Sequence, residues 1–536
     1  MRLHPWIVVL SLVGCKASHP GVDLGSTPDG GNTPGLTAVA SCTEGLVGLR
    51  ISCDGQQSSD AAGRALTFAW SVTGTPDKST DSSTGSGSSF SFAPKIGGTY
   101  EVTLVVSNSD GGSSIAKAGA LADTVPLFYR QSTITKSSDS FAVGIVNSDG
   151  TGAHLLSCPV MIADPSNGDA GAGNRGTYAD TPGAVGTRVW YRPNNLPAVV
   201  AFENVTASEH QLLVNNEDGD CSSRPAVRLD ATPAAQHLMP RFSPSGARVA
   251  WIDVASPGSL QTAALDGSDR RVVRTAAKLK NAPPVWVDET HLSWVEDASA
   301  DMTPHLQIAS AVDAAGAGDS ARSTLLDCNP AADPSALTVI NQFERSASGL
   351  VVAGGLKSRT ANPPGATLLY RMAASGCSTT AATVLADEPG GSYAWDFALS
   401  PDGVTLVYSA VEGPGAGAQD LWLVSIDGSV PPSRFVGSAP GVNDIGPVWI
   451  ADGKQISWTQ VAADGSAHGG GLMVANRDGT GVRSVLTQGG SSAADIYVVG
   501  ATNRGLDCSA AGTGVAVGDA LLLLGAVFFF RRRRRA

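Results

Sequence analysis

Leu399-Ser400-Pro401-Asp402-Gly403-Val404-Thr405-Leu406-Val407-Tyr408, followed after a glycine-rich gap by Leu421-Trp422-Leu423-Val424-Ser425-Ile426-Asp427-Gly428-Ser429, decides the fold. Short runs of apolar, β-branched and aromatic residues read as strands, and the Asp-Gly pairs between them read as tight turns in which glycine takes a positive φ. The phrase recurs. Phe242-Ser243-Pro244-Ser245-Gly246 runs to Trp251 and on to Leu265-Asp266-Gly267-Ser268, and Val448-Trp449-Ile450-Ala451-Asp452-Gly453 runs to Trp458 and on to Arg477-Asp478-Gly479-Thr480. A fourth copy, Val285-Trp286-Val287-Asp288 to Trp294, lacks the glycine, and Ser148-Asp149-Gly150-Thr151-Gly152 repeats the second turn. Degenerate turns near Asp218-Gly219, Asp313 and Ser375-Gly376 fill the gaps, giving seven units of roughly 45 to 70 residues between 124 and 503.

Four short strands per unit make a propeller blade, so residues 124–503 are expected to form a six- or seven-bladed β-propeller. Seven is favoured, with Ile496 to Val499 closing the ring against the first blade. The F-S-P-D/S-G phrase, an apolar strand, a loop, another strand and D-G-S/T resemble the repeats of TolB-like (WD40-like) propellers. That resemblance implies a binding or scaffolding platform; where such propellers accompany catalysis, a separate hydrolase domain does the chemistry, and this chain has no room for one.

Upstream, Leu66, Phe68, Trp70 and Val72 alternate with smaller or polar residues, as do Tyr100, Val102, Leu104 and Val106. Period two marks half-buried strands, here punctuated by Asp54-Gly55 to Gly63, Gly97-Gly98 and Asp110-Gly111-Gly112, so residues 37–123 read as a β-sandwich. Asp54-Gly55 through Asp60, Leu66 to Trp70 and Gly98 to Val106 together resemble PKD-type immunoglobulin-like domains. Ser71-Val72-Thr73-Gly74 departs from that family's acidic turn and weakens any calcium inference. Trp70 and Tyr100 could stack on a sugar, but their inward register assigns them to the core.

Residues 1–14 have the layout of a signal peptide, and Leu12-Val13-Gly14-Cys15 resembles a bacterial lipobox, which implies lipidation of Cys15. Residues 15–36, rich in Gly, Pro, Ser and Asp, read as a flexible linker. At the other end, Cys508 and small residues precede an apolar run, Gly514 to Phe530, and Arg531 to Arg535. Residues 504–536 resemble the sorting tails of myxobacterial surface proteins, implying processing at Cys508; the alternative is a retained transmembrane anchor with its arginines on the cytoplasmic side. The chain is thus expected at the outer membrane or cell surface. Six further cysteines, Cys42, Cys53, Cys158, Cys221, Cys328 and Cys377, suit an oxidising compartment as disulfide candidates, and none has zinc-ligand spacing.

The chain has 536 residues, 63 of them glycine, and a net charge of −12 even though five basic residues sit in the terminal arginine cluster. Such a surface repels phosphate backbones, so nucleic acid is not an expected partner. No nucleophile elbow, zinc helix or phosphate loop occurs. His237 and His291, beside strands, are read as blade-packing residues, and Asp266, Asp427 and Asp478 as turn formers. Asp164, Asp169 and Asp180 lie in a Gly-rich insertion without EF-hand spacing. The reading is an all-β, exported, membrane-tethered protein that binds a protein or glycan, with no catalytic residues, metal or cofactor assigned; a propeller glycosidase or lyase and a passive envelope component are the alternatives.

Overall fold

The computed structural model describes residues 33–73, 82–134, 139–155, 190–191, 199–205, 210–216, 227–229, 237–243, 246–253, 258–276, 284–297, 304–310, 323–327, 337–345, 351–357, 367–372, 382–387, 397–411, 418–437, 441–462, 471–487 and 494–501. Nearly all of them are in strands or tight turns.

The N-terminal unit is built from two sheets that share one core. The larger runs Gly45–Leu46, Ser113–Asp123, Gly98–Asn108, Leu66–Thr73 and Ser83–Ser86; the smaller runs Ser41–Cys42, Ile51–Asp54 and Ser89–Phe92. Strand alternation sends Trp70, Val72, Tyr100, Val102, Leu104 and Val106 inward, where they meet Ile51, Cys53 and Phe92 of the smaller sheet. Each large apolar side chain buried this way contributes about 1.5 to 3 kcal/mol. The polar atoms of the two big aromatics are satisfied: Trp70 Nε1 donates to the Gly87 carbonyl at 2.8 Å and the Tyr100 hydroxyl to the Ile96 carbonyl at 2.7 Å. Both therefore belong to the core. Cys42 and Cys53 face one another across paired strands and form a disulfide. Folding starts earlier than the linker reading placed it. Thr33 already bonds Ser113, and Leu36 pairs with Asp60 and is buried.

Beyond residue 125, among the described residues, seven four-stranded antiparallel sheets follow one another along the chain. In ring order the first comprises Pro126–Ile134, Asp139–Asn147 and His154–Leu155 together with Ala494–Ala501; the others span 190–228, 237–276, 285–327, 337–387, 397–436 and 442–487. Ala494–Ala501 pairs antiparallel with Pro126–Ile134, so the last described strand supplies the innermost strand of the first sheet. The innermost strand of each sheet lies against that of the next, and the seventh against the first. The result is a closed β-propeller. Its apolar cores lie between sheets: Leu212 and Leu229 pack on Trp251, Leu260 and Val273 on Trp294, and Val407 and Leu421 on Trp449 and Trp458.

Up-and-down order gives the propeller two distinct ends. The turns joining first to second and third to fourth strands gather at one end; connections joining second to third strands, and each sheet to the next, gather at the other. Among the described residues the Asp-Gly turns of the propeller fall at the first, which we call the tight-turn end. In these turns the aspartate carboxylate accepts the N–H two residues on, from Ser268 at 2.9 Å, Ser429 at 2.8 Å, Thr480 at 3.0 Å and Thr151 at 2.9 Å. Gly150, Gly267, Gly428 and Gly479 adopt φ between 74° and 85°.

Candidate functional site

Three of those glycines do a second job. A Cβ on Gly267 would stand 2.9 Å from the Arg228 carbonyl oxygen, on Gly479 3.1 Å from that of Phe435, and on Gly150 3.0 Å from that of Val485. Each neighbour lies on the outermost strand of the preceding sheet, and Gly150 of the first sheet meets the seventh. The turn is thus both a hairpin and a joint between sheets. A second joint recurs on the inner strands, where Trp286 Nε1 donates to the Arg241 carbonyl at 3.0 Å and Trp449 Nε1 to the Ala398 carbonyl at 2.9 Å. Arg477 adds a third. It pairs with Asp402 at 2.6 Å, donates to the Thr405 hydroxyl and lies over the Trp449 ring.

The N-terminal unit sits on the tight-turn end, across the junction of the first and seventh sheets. Gln455 Nε2 donates to the Val47 carbonyl at 2.8 Å, and Asn476 Nδ2 to the Gly48 carbonyl at 2.9 Å. The Arg483 guanidinium reaches both sides: Nε donates to the Ser148 carbonyl at 2.9 Å and Nη2 to the Val47 carbonyl at 3.4 Å. Burial pulls its pKa down to about 10, against the opposing pull of the Asp149 charge. On the first sheet, the Gly97 N–H donates to Asp149 at 2.6 Å. Leu46 packs on the apolar core formed by Leu127, Tyr129 and Val146 of the first sheet with Ile450, Leu472 and Val485 of the seventh.

The opposite end carries the buried carboxylates. Asp253 accepts from Gln261, Asp420 pairs with Arg434, and Asp444 accepts from Trp458 Nε1 at 2.8 Å and Gln460 Nε2 at 2.9 Å. Glu296 takes both Arg274 nitrogens, at 2.7 and 3.0 Å, a bidentate pair joining the third and fourth sheets. On the inner ring, burial pushes the Arg241 guanidinium down from its ordinary value and the negative charge of Glu344 pulls it back. The bonds of Asp253, Asp420, Asp444 and Glu296 are polar contacts at the opposite end, whereas Arg241 and Glu344, near the ends of first strands, lie toward the tight-turn end. Among the described residues no group of three or more His, Cys, Asp or Glu is arranged to hold a metal ion.

Asp266, Asp427 and Asp478 are turn residues, as their place in the repeat predicts. His291 is not a packing residue. It is exposed, with Nδ1 2.9 Å from Asp288 of the preceding turn. Burial raises the Asp288 carboxyl less than bonds from Thr290 and His291 lower it, leaving it at about 2. His237 opens the innermost strand of the third sheet. Of the cysteine predictions only Cys42 and Cys53 fall on described residues; Cys15, Cys158, Cys221, Cys328, Cys377 and Cys508 lie outside them, as do Asp164, Asp169, Asp180, the signal segment and the sorting tail. Among the described residues no helix is long and apolar enough to cross a membrane. The sequence missed Arg483, Gln455, Asn476, Val47 and Gly48. Asn476 carried no distinguishing signal, because Asn147 holds the same place before the first sheet's Asp-Gly turn and makes the same bond to the turn threonine.

No protein-family model matches the chain, and no curated protein does. Solved structures similar to it include TolB from Acinetobacter baumannii, at 12% identity over 69% of this chain and 82% of that one, with a TM-score of 0.36. The β-propeller domain of the Trilobed protease from Pyrococcus furiosus matches at 11% identity over 56% and 84%, TM-score 0.37. An oligogalacturonate lyase in complex with manganese matches at 13% identity over 56% and 76%, TM-score 0.36. The propeller architecture itself rests on the strand pairing of this chain.

Proposed function

We propose that this is an exported, membrane-tethered cell-surface protein whose propeller binds a protein or glycan without transforming it. The seven four-stranded sheets are read as seven blades, and the N-terminal unit as an immunoglobulin-like sandwich of PKD type, a reading supported by its buried Trp70 and by the Tyr100 hydroxyl bonded to backbone four residues upstream. The observation that carries the function is the placement of the N-terminal unit on the tight-turn end. Among the described residues the N-terminal unit contacts only that end, and the end bearing the second-to-third strand connections is read as the face offered to a partner. Surface loops held by a rigid scaffold are where binding residues concentrate.

Two measurements on the full chain test it. Labelled palmitate is expected in wild type and Cys508→Ala but not in Cys15→Ala, with the protein cleaved by protease added to intact cells; an unlabelled, protected chain sinks the surface reading. Glycans retained by the immobilised protein are expected back with unchanged mass. Shortened or unsaturated products establish the glycosidase or lyase alternative, and retention of neither glycan nor protein leaves the passive envelope component.

A further inference from the structure

The point where the N-terminal unit touches the propeller is also the point where the ring closes. The first sheet is made of strands from opposite ends of the propeller segment, Pro126–Ile134 and Ala494–Ala501, and it meets the seventh sheet through Gly150 against Val485 and through Arg483 to Ser148. A closure of that kind relies on one strand pairing and on the packing of the seventh sheet against the first.

Contacts from the N-terminal unit fall on both sides of this seam. Gly97 holds Asp149 of the first sheet; the Val47 and Gly48 carbonyls hold Gln455, Asn476 and Arg483 of the seventh. The partners Asn476 and Gly48 are 428 positions apart in sequence. Val47 and Gln455 are both fully buried, so their bond is shielded from water. The fit is close. Gly48 has φ +82°, and a Cβ there would lie 2.5 Å from Arg483 Nη1 and 3.2 Å from Gln455 Nε2. Glycine suits that position for its backbone angle, and an added Cβ would displace the Arg483 guanidinium from its bonds across the seam.

We infer that the N-terminal unit is a clamp on the propeller seam: besides spacing the propeller, it locks the first and seventh sheets together and governs how readily the ring opens. Arg483 is the positioning residue at the centre of the clamp, because one side chain from the seventh sheet ties the first sheet and the N-terminal unit at once.

Hydrogen exchange of the intact chain, read by mass spectrometry over peptides covering 126–134 and 494–501, tests the clamp. Gly48→Ala is compared with Gly111→Ala, which has a similar φ of +83° in the same unit but nothing within 4 Å of the added carbon. The expected result is exchange about tenfold faster or more at the two closing strands in Gly48→Ala and unchanged exchange there in Gly111→Ala. Faster exchange confined to 36–123 in both variants, or equal effects of both on the closing strands, overturns the clamp. If Gly48→Ala does not fold, Leu46→Ala, which withdraws the N-terminal unit's side chain from the core shared by the first and seventh sheets and leaves the hydrogen bonds of both sheets in place, is read at the same peptides and decides by the same criterion.

Discussion

At the residue scale, the Asp-Gly pair does different work in different copies of the repeat. In Gly428 only the backbone angle matters, since nothing lies within 4 Å of an added Cβ; in Gly267 the Arg228 carbonyl is 2.9 Å away. Gly267→Ala is therefore expected to cost about 1 to 3 kcal/mol and Gly428→Ala about 1 to 2 kcal/mol, with Gly267→Ala the larger. Urea unfolding midpoints check this, and equal losses would show that the contact between sheets adds nothing. Asp60 gives the pH dependence. The Arg64 guanidinium bonded to it, with Ala62 and Asn108 assisting, holds its carboxyl at about 2, below the ordinary 3.8. A carboxylate lowered in the folded state stabilises fully above its unfolded value and loses that contribution as pH falls through the folded one. Between pH 4 and pH 2 the N-terminal unit is expected to lose thermal stability, followed through the environment of Trp70, and Asp60→Asn is expected to flatten that loss. Parallel curves for the two proteins would refute the assignment.

At the scale of the element, the strands and turns were legible and the joints between sheets were not. Period-two alternation placed Trp70 and Tyr100 inward, and the recurring Asp-Gly-Ser/Thr placed the hairpins. Both signals are local, arising from residues a few positions apart. The indole bonds from Trp286 and Trp449 connect one sheet to the preceding one, and nothing within a single repeat reveals the acceptor. Trp449→Phe keeps an aromatic ring, removes the indole bond that the Ala398 carbonyl accepts besides its ladder pairing with Val407, and weakens the contact with Arg477. It is expected to destabilise by about 1 to 3 kcal/mol in calorimetry, and Phe435→Leu, which alters a neighbouring ring contact without removing a buried bond, by less. A neutral Trp449→Phe would mean that the indole is held by packing alone.

For the whole molecule, the all-β class and the closing strand near Ile496 could be read from the chain, because they depend on composition and on a repeat that runs out of partners. The seat of the N-terminal unit could not. It is made by Val47 and Gln455, 408 positions apart, and by backbone carbonyls that carry no sequence signature. His291 misled for a related reason: its neighbours read as a strand, while its ring is exposed beside Asp288 of the preceding turn. The strand 494–501 has one more consequence, and it concerns time. During synthesis the edge of Pro126–Ile134 emerges early and its partner almost last, so the nascent protein is an open arc with an unpaired edge until the end of the propeller has been made. Pairings so distant in sequence form slowly, and exposed edges recruit other strands. A chain of this design has reason to remain in the keeping of a chaperone until the strand that closes its propeller is available.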